Sequence, residues 1–113
     1  MEKLAKTLKA VSDINRIRIL KMLEKKELCV CEISSVLQLA NSTVSQHLSI
    51  LKEAGLITDE KDGKWVNYRL VSSPESTYNS ELMPLLKKWL ADEQIIRSDL
   101  KKLETANRNQ LCG

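Results

Sequence analysis

Apolar residues recur along this chain at helical spacing up to residue 54, then at strand spacing, then at helical spacing again. Leu4, Leu8 and Val11 share one stripe, with Lys3, Lys6 and Lys9 outside it, which predicts a short first helix. Asp13 suits the cap of a second, where Ile14, Ile17, Leu20 and Leu23, with Met22 alongside, extend an apolar face as far as Lys25-Lys26-Glu27. Arg16, Arg18 and Lys21 are expected on its solvated flanks. A third pattern turns Ile33, Val36 and Leu37 inward and is interrupted at Gln38-Leu39-Ala40-Asn41. A fourth helix is predicted from Ser42 to Ala54, with Val44, Leu48 and Leu51 on one face and Gly55 as its C-cap.

Beyond Gly55 the pattern becomes extended. Residues 56–60 and 64–70 read as two strands joined by Lys61-Asp62-Gly63, where glycine accepts a positive φ without steric cost. Residues 71–77 form a turn-rich connector. A last long helix is predicted over about 80–106, with Pro84 tolerated in its first turn. Leu82, Trp89, Ile96 and Leu103 recur on it every seven residues, with Leu86 and Leu100 beside them, as on the seam of a helix pair. Packing of this helix on the chain's own core is the alternative; pairing with a second copy is the expected reading, because it gives a small domain another buried face. Leu4 and Leu8 of the first helix are expected in that same dimer interface.

A length of 113 residues allows one domain, 1–113, too small for a large enzyme scaffold. The opening Met1-Glu2-Lys3-Leu4-Ala5-Lys6 is too charged for a secretory leader, and no apolar run reaches the roughly 18 residues of a membrane span, so a cytosolic protein without membrane contact is expected. Three cysteines argue for reduced thiols over a disulfide framework. The net charge of +3 permits nucleic-acid binding without requiring it. Residues 42–70 are neutral in sum, which leaves the positive excess mainly to the first two helices, with Arg16 and Arg18 among the candidates for phosphate contact.

The predicted order α-α-α-α-β-β-α, mainly helical, is that of a winged helix-turn-helix domain. Its helix-turn-helix spans about 29–55, its wing about 56–70, its dimerisation helix about 80–106 and a flexible tail 107–113. Ser12-Asp13-x-x-Arg16-Ile17-Arg18-Ile19-Leu20, the run Glu27-Leu28-Cys29-Val30-Cys31-Glu32, Ser42-Thr43-Val44-Ser45-Gln46-His47-Leu48 and Gly63-Lys64-Trp65-Val66-x-Tyr68-Arg69-Leu70 closely resemble the ArsR/SmtB family. The resemblance runs from Leu4 to about Ile96 and is most specific to the arsenic-responsive repressors. It implies a homodimer that binds double-stranded operator DNA and dissociates when an inducer binds. Fold alone would not imply this, because winged helices also serve as protein-interaction modules.

The second helix of a helix-turn-helix enters the major groove. On it Ser42, Ser45, Gln46 and Ser49 lie opposite the apolar face, and Gln46 can pair bidentately with adenine. Ser42 and Thr43 could instead cap the helix and contact phosphate, and His47 lies nearer the apolar boundary. Lys64 and Arg69 of the wing could track phosphate or the minor groove.

Cys29 and Cys31 are soft ligands, suited to As(III), Sb(III) or other soft metal ions, with no permanently bound cofactor expected. Residues two apart diverge by about 200° on a regular helix. Either the chain is not yet helical at Cys29, or binding unwinds the helix start; in both cases binding strains the support of the reader. The arsenic-sensing pattern Cys-x-Cys-x-x-Cys has Ser34 here in third place. Either two thiolates are joined by a small exogenous ligand, or Cys112 supplies the third. Cadmium and lead sensors of the family add N-terminal cysteines, and none precedes Cys29. Zinc and nickel sensors use histidines and carboxylates of the last helix, but His47 is the only histidine, and Asp92, Glu93 and Asp99 are expected to be solvated. A redox or persulfide sensor of the same fold is the alternative. A thiol oxidoreductase is not supported, for Cys-x-x-Cys is absent.

Overall fold

The computed structural model describes residues 1–111. Its elements are α1 (Glu2–Ala10), α2 (Ile14–Leu23), α3 (Val30–Leu37), α4 (Asn41–Glu53), β1 (Ile57–Asp62), β2 (Trp65–Leu70), α5 (Thr77–Lys88), α6 (Gln94–Thr105) and α7 (Arg108–Leu111). No helix among the described residues is long and apolar enough to cross a membrane.

Local chemistry explains most of the boundaries. The Asp13 side chain accepts the Arg16 amide at 3.1 Å and starts α2. Gln38, at φ 57°, ends α3 in the left-handed region and lets the chain turn sharply into α4. At the far end of α4, the Leu56 amide reaches the Leu51 carbonyl (3.1 Å) and the Gly55 amide that of Lys52 (3.0 Å), a Schellman motif around Gly55 at φ 79°. The hairpin pairs Ile57 with Leu70 through to Asp62 with Trp65. Its two central residues are therefore Gly63 and Lys64, with the positive φ on Gly63, and the first strand runs two residues further than the Lys61-Asp62-Gly63 turn predicts.

The core gathers Ile19, Leu20 and Met22 of α2, Ile33 and Val36 of α3, and Val44, Leu48 and Leu51 of α4. The inward faces of α3 and α4 are those the spacing predicts. That of α2 is rotated: Ile19 is buried completely, whereas Ile14 is 72% exposed. Leu28 adds an unpredicted third rung to the wing. It exchanges two backbone hydrogen bonds with Tyr68, at 3.1 and 2.8 Å, so the residue before Cys29 is stitched to β2.

The single helix expected over 80–106 is two helices. α5 begins earlier, capped by Ser76 on the Asn79 amide, which puts Pro84 well inside the helix rather than in its first turn. It stops at Lys88, and Leu90 turns the chain at φ 70° before α6 starts. Lys21 stabilises the break. Its ammonium, buried instead of solvated, donates to the carbonyls of Leu86 (2.9 Å) and Trp89 (2.8 Å) at the negative end of α5.

That break also divides the seven-residue seam. Ile96 and Leu103 are buried within their own chain, while Trp89 stays 47% exposed and Leu82 half-buried. α1 packs against α5, with Leu8 54% exposed and Leu4 half-buried. The apolar surface left open on this pair is Leu8, Tyr78, Leu85 and Trp89. Asp99, expected to be solvated, is 1% exposed and bound to Arg18. The expected tail holds the short α7, which packs against α3.

Candidate functional site

α4 is held by its apolar face, and this determines what the other face offers. With Val44, Leu48 and Leu51 buried, Ser42, Ser45, Gln46 and Ser49 are exposed and Thr43 is half-buried. A row of short hydroxyls around one carboxamide can approach base edges without steric conflict. The helix begins at Asn41, one residue before the predicted Ser42, with Ala40 as its N-cap and no side-chain cap bond.

Arg16 does not face solvent, which corrects its assignment to phosphate contact. It is 9% exposed, and its guanidinium donates to the carbonyls of Ala10 (2.8 Å) and Lys9 (3.0 Å), the terminal carbonyls of α1. A third contact, at 3.2 Å, reaches Nδ1 of His47. A guanidinium can only donate, so Nδ1 accepts and the ring proton sits on Nε2. Arg16 thus orients half-buried His47 on the flank of α4 and leaves an N–H donor on the opposite ring nitrogen. Spacing alone does not reveal this role, because it depends on two carbonyls and a ring brought together by the fold.

On the wing, Lys64 is exposed with its ammonium 4.8 Å from the Trp65 ring centre. Arg69 is exposed too, but its Nη1 is shared between Glu60 (2.9 Å) and Glu27 (3.7 Å).

The thiol segment starts outside the helix. Cys29 is the N-cap of α3 in extended conformation (φ −93°, ψ 169°), so the chain is not yet helical there, while Cys31 lies in the first turn. The Glu32 carboxylate reaches back to accept the Cys29 amide at 3.0 Å, the return arm of a capping box. Cys29-x-x-Glu32 carries that signature in the sequence, with a thiol in the place of serine. Cys29 is a free thiol, 3% exposed. Burial pushes its pKa up and the Glu32 carboxylate adds to this, while the amides of Glu32 and Cys31 pull the other way. Cys31 is half-buried and, unlike Cys29, is disulfide-bonded, which corrects the expectation of reduced thiols throughout; Asn41 donates from Nδ2 to its Sγ at 3.9 Å. Ser34 Oγ lies 2.5 Å from Asn41 Oδ1 and 3.2 Å from the Cys31 carbonyl. Cys112 lies outside the described residues. Among the described residues no three His, Cys, Asp or Glu side chains form a metal-sized group.

A helix held by a tight turn against its support, with a β-hairpin beside it, defines a winged helix-turn-helix, a fold of many DNA-binding regulators. The family model for bacterial regulatory proteins of the arsR family matches residues 13–59. The chain is 44% identical over 63 residues to the arsenical resistance operon repressor of Escherichia coli, covering 55% of this chain and 54% of that one. It is 34% identical over 91 residues to the arsenic resistance transcriptional regulator ArsR2 of Pseudomonas putida, covering 77% and 79%. Among solved structures, reduced HlyU from Vibrio cholerae aligns with a TM-score of 0.66 at 37% identity, covering 80% of this chain and 90% of that one. The chain belongs to the arsR family of regulatory proteins, which are DNA-binding regulators and not enzymes. It spans about half the length of the first curated relatives it matches.

Proposed function

We propose that this chain is a repressor that holds double-stranded operator DNA as a homodimer and releases it when As(III) or Sb(III) bridges Cys29 and Cys31. The relatives named for arsenic resistance support the inducer class. The observation that carries the reading is the position of the two cysteines at the start of α3, one buried against Glu32 and the other beside Asn41; inducer binding requires Cys31 in its reduced form. One ion that gathers both pulls on that first turn from both sides of the N-cap. Leu28, the residue before it, is paired to the wing, and Ser34 and Asn41 join the turn to α4. Pulling on the turn therefore strains both DNA-facing elements, the differential interaction that release requires.

The chemistry balances with two thiols. Arsenous acid condenses with two S–H groups to form two As–S bonds, keeps one hydroxyl and expels two waters. A third thiol would replace that hydroxyl, and Cys112 is the candidate, since it follows α7 and α7 packs against α3. Gln46, with Ser42, Ser45 and Ser49, reads bases; Thr43, His47 and Lys64 serve phosphate. The open apolar surface of α1 and α5 is the dimer interface.

The test is operator release from the reduced protein titrated with arsenite, antimonite, cadmium, zinc and an oxidant. Wild type is expected to release with arsenite, and Cys29→Ser and Cys31→Ser to hold on. Release that survives loss of both thiols would overturn the site. A thiol-oxidation switch is the second reading, favoured by the packing of α7 on α3 and by likeness to a regulator whose structure is described as reduced. Release by the oxidant but not by arsenite would establish it instead.

A further inference from the structure

We infer that the last turn of α1, through Lys9 and Lys6, is a second DNA-contacting surface that grips the phosphate backbone beside the groove read by α4. This rests on α4 as the DNA reader and is independent of the inducer.

A helix that enters the major groove needs cations on its flanks, because phosphate neutralisation supplies a large share of the affinity. α4 does not carry them. Residues 41–51 contain no lysine or arginine, and Lys52, the next position, is held by both carboxylate oxygens of Asp59 at 3.0 Å. The neighbouring arginines are committed as well: Arg18 grips Asp99, Arg69 is shared by Glu60 and Glu27, and Arg16 is buried. On α1, by contrast, Lys3, Lys6 and Lys9 are exposed, with Glu2 as the acid of that helix.

Arg16 fastens the end of α1 to the reader. Its guanidinium spans the carbonyls of Lys9 (3.0 Å) and Ala10 (2.8 Å) and the His47 ring on the flank of α4 (3.2 Å). In doing so it offsets the negative end of α1, whose open carbonyls would repel a phosphate. The Ser12 hydroxyl donates to the same Lys9 carbonyl at 2.8 Å, and the Asp13 carboxylate at this corner is engaged by the Arg16 amide. The charge presented beside the reader is then that of Lys9, with Lys6 one turn back.

The proposed dimer face does not cover this row. At about 100° per residue, Lys6 lies roughly 160° around the axis from Leu4 and Leu8, and Lys9 roughly 100° from Leu8. Pairing through the apolar stripe leaves both lysines in solvent. Lys3 differs, because it lies in a groove at the far end of α4 whose lining includes Glu53 and Glu75, and these offset its charge. Lys6 also borders that groove, which makes Lys9, outside it, the stronger contact.

The experiment reads the salt dependence of binding by the reduced full chain, on a duplex that wild type selects from a random-sequence pool and on a scrambled duplex of the same length. Wild type is compared with Lys6→Gln plus Lys9→Gln, with Lys9→Arg, with Lys101→Gln plus Lys102→Gln on α6, and with Gln46→Ala. Loss of roughly two to four phosphate contacts per dimer should lower the slope of log affinity against log salt by roughly 1.8 to 3.6 for the α1 pair. The drop should be equal on both duplexes, since backbone contacts carry no sequence information. Lys9→Arg and the α6 pair should keep the wild-type slope. An unchanged slope for the α1 pair overturns the inference, and so does an equal drop for the α6 pair, which would make the effect one of net charge. A drop accompanied by dissociation to monomers in sedimentation also overturns it, by placing the row in the dimer interface. If Gln46→Ala alters neither affinity nor sequence preference, α4 is not the reader, and the functional reading fails and takes this surface with it.

Discussion

Arg18 and Asp99, 81 positions apart, meet as a two-pronged ion pair, Nε to Oδ2 at 2.8 Å and Nη2 to Oδ1 at 2.9 Å. The pair fastens α6 to α2, and Asp99 is almost wholly out of solvent. Arg18→Ala would leave a buried carboxylate unpaired, so a loss of about 3–5 kcal/mol in denaturant unfolding is expected. The double replacement Arg18→Met with Asp99→Leu should recover most of it. A single-variant loss no larger than the ~1 kcal/mol of a surface pair would show the pair to be incidental.

Asp13 caps α2, and its carboxyl behaves accordingly. Burial pushes its pKa up, but the Arg16 amide and the Arg16 charge outweigh this and hold it below the ordinary carboxylate value. A depressed carboxyl stabilises the fold above its unfolded pKa, and the gain disappears as pH falls through the lower, folded one. Asp13→Ala should cost about 1 kcal/mol at neutral pH and progressively less in acid. An equal cost at both ends of that range would exclude the charge as its source.

Gln46 and Arg16 should fail in different ways. Gln46→Ala is expected to weaken operator binding by about 1–3 kcal/mol and relax sequence preference at the base it reads. Arg16→Gln disturbs the placement of His47 without removing a phosphate contact. Its affinity should fall for every operator variant while the salt dependence stays put, since each lost phosphate contact would lower the slope by about 0.9. A reduced slope for Arg16→Gln would return it to the DNA surface.

The raised Cys29 pKa separates two kinds of inducer. Arsenous acid takes up protonated thiols and releases water, so its affinity should be nearly flat from pH 6 to 8. Cadmium must displace the proton, and its affinity should climb toward about tenfold per pH unit for each thiol deprotonated, up to the folded pKa. Calorimetry in buffers of different ionisation enthalpy counts the protons directly. Proton uptake on arsenite binding would mean that Cys29 enters as a thiolate.

The divided seam predicts two classes of substitution. Trp89→Glu or Leu8→Glu places charge on an open apolar surface and should yield a folded monomer by sedimentation. Ile96→Glu buries a charge in the chain's own interior and should unfold it. A dimer that survives both surface changes would require a different interface.

What the sequence made legible follows the range of the interactions. Val44, Leu48, Leu51, Gly55 and the hairpin glycine act through near neighbours, so spacing and turn chemistry located them. The seven-residue repeat of Leu82, Trp89, Ile96 and Leu103 presupposed a continuous helix, and Leu90 breaks it. Ile14 and Ile19 were exchanged because the α2 face is selected by the packing of α4, α6 and β2. Arg16, Lys21 and Asp99 looked like surface charges, since their partners lie on other elements. At the thiol site the two cysteines were evident, whereas Asn41 and Leu28 gained their roles only from helix-to-helix and strand contacts.

Asn79 is buried where three helices meet: its Oδ1 accepts from Thr7 of α1 at 2.6 Å, and its Nδ2 donates to the Ala54 carbonyl just past α4 at 2.8 Å. Its amide group thus fixes the far end of the reader against the two helices that carry the open apolar surface. In a two-fold assembly, the span between the paired readers is then set by a side-chain amide remote from both grooves. Altering that amide would change which separation of half-sites fits, while leaving every base contact as it was.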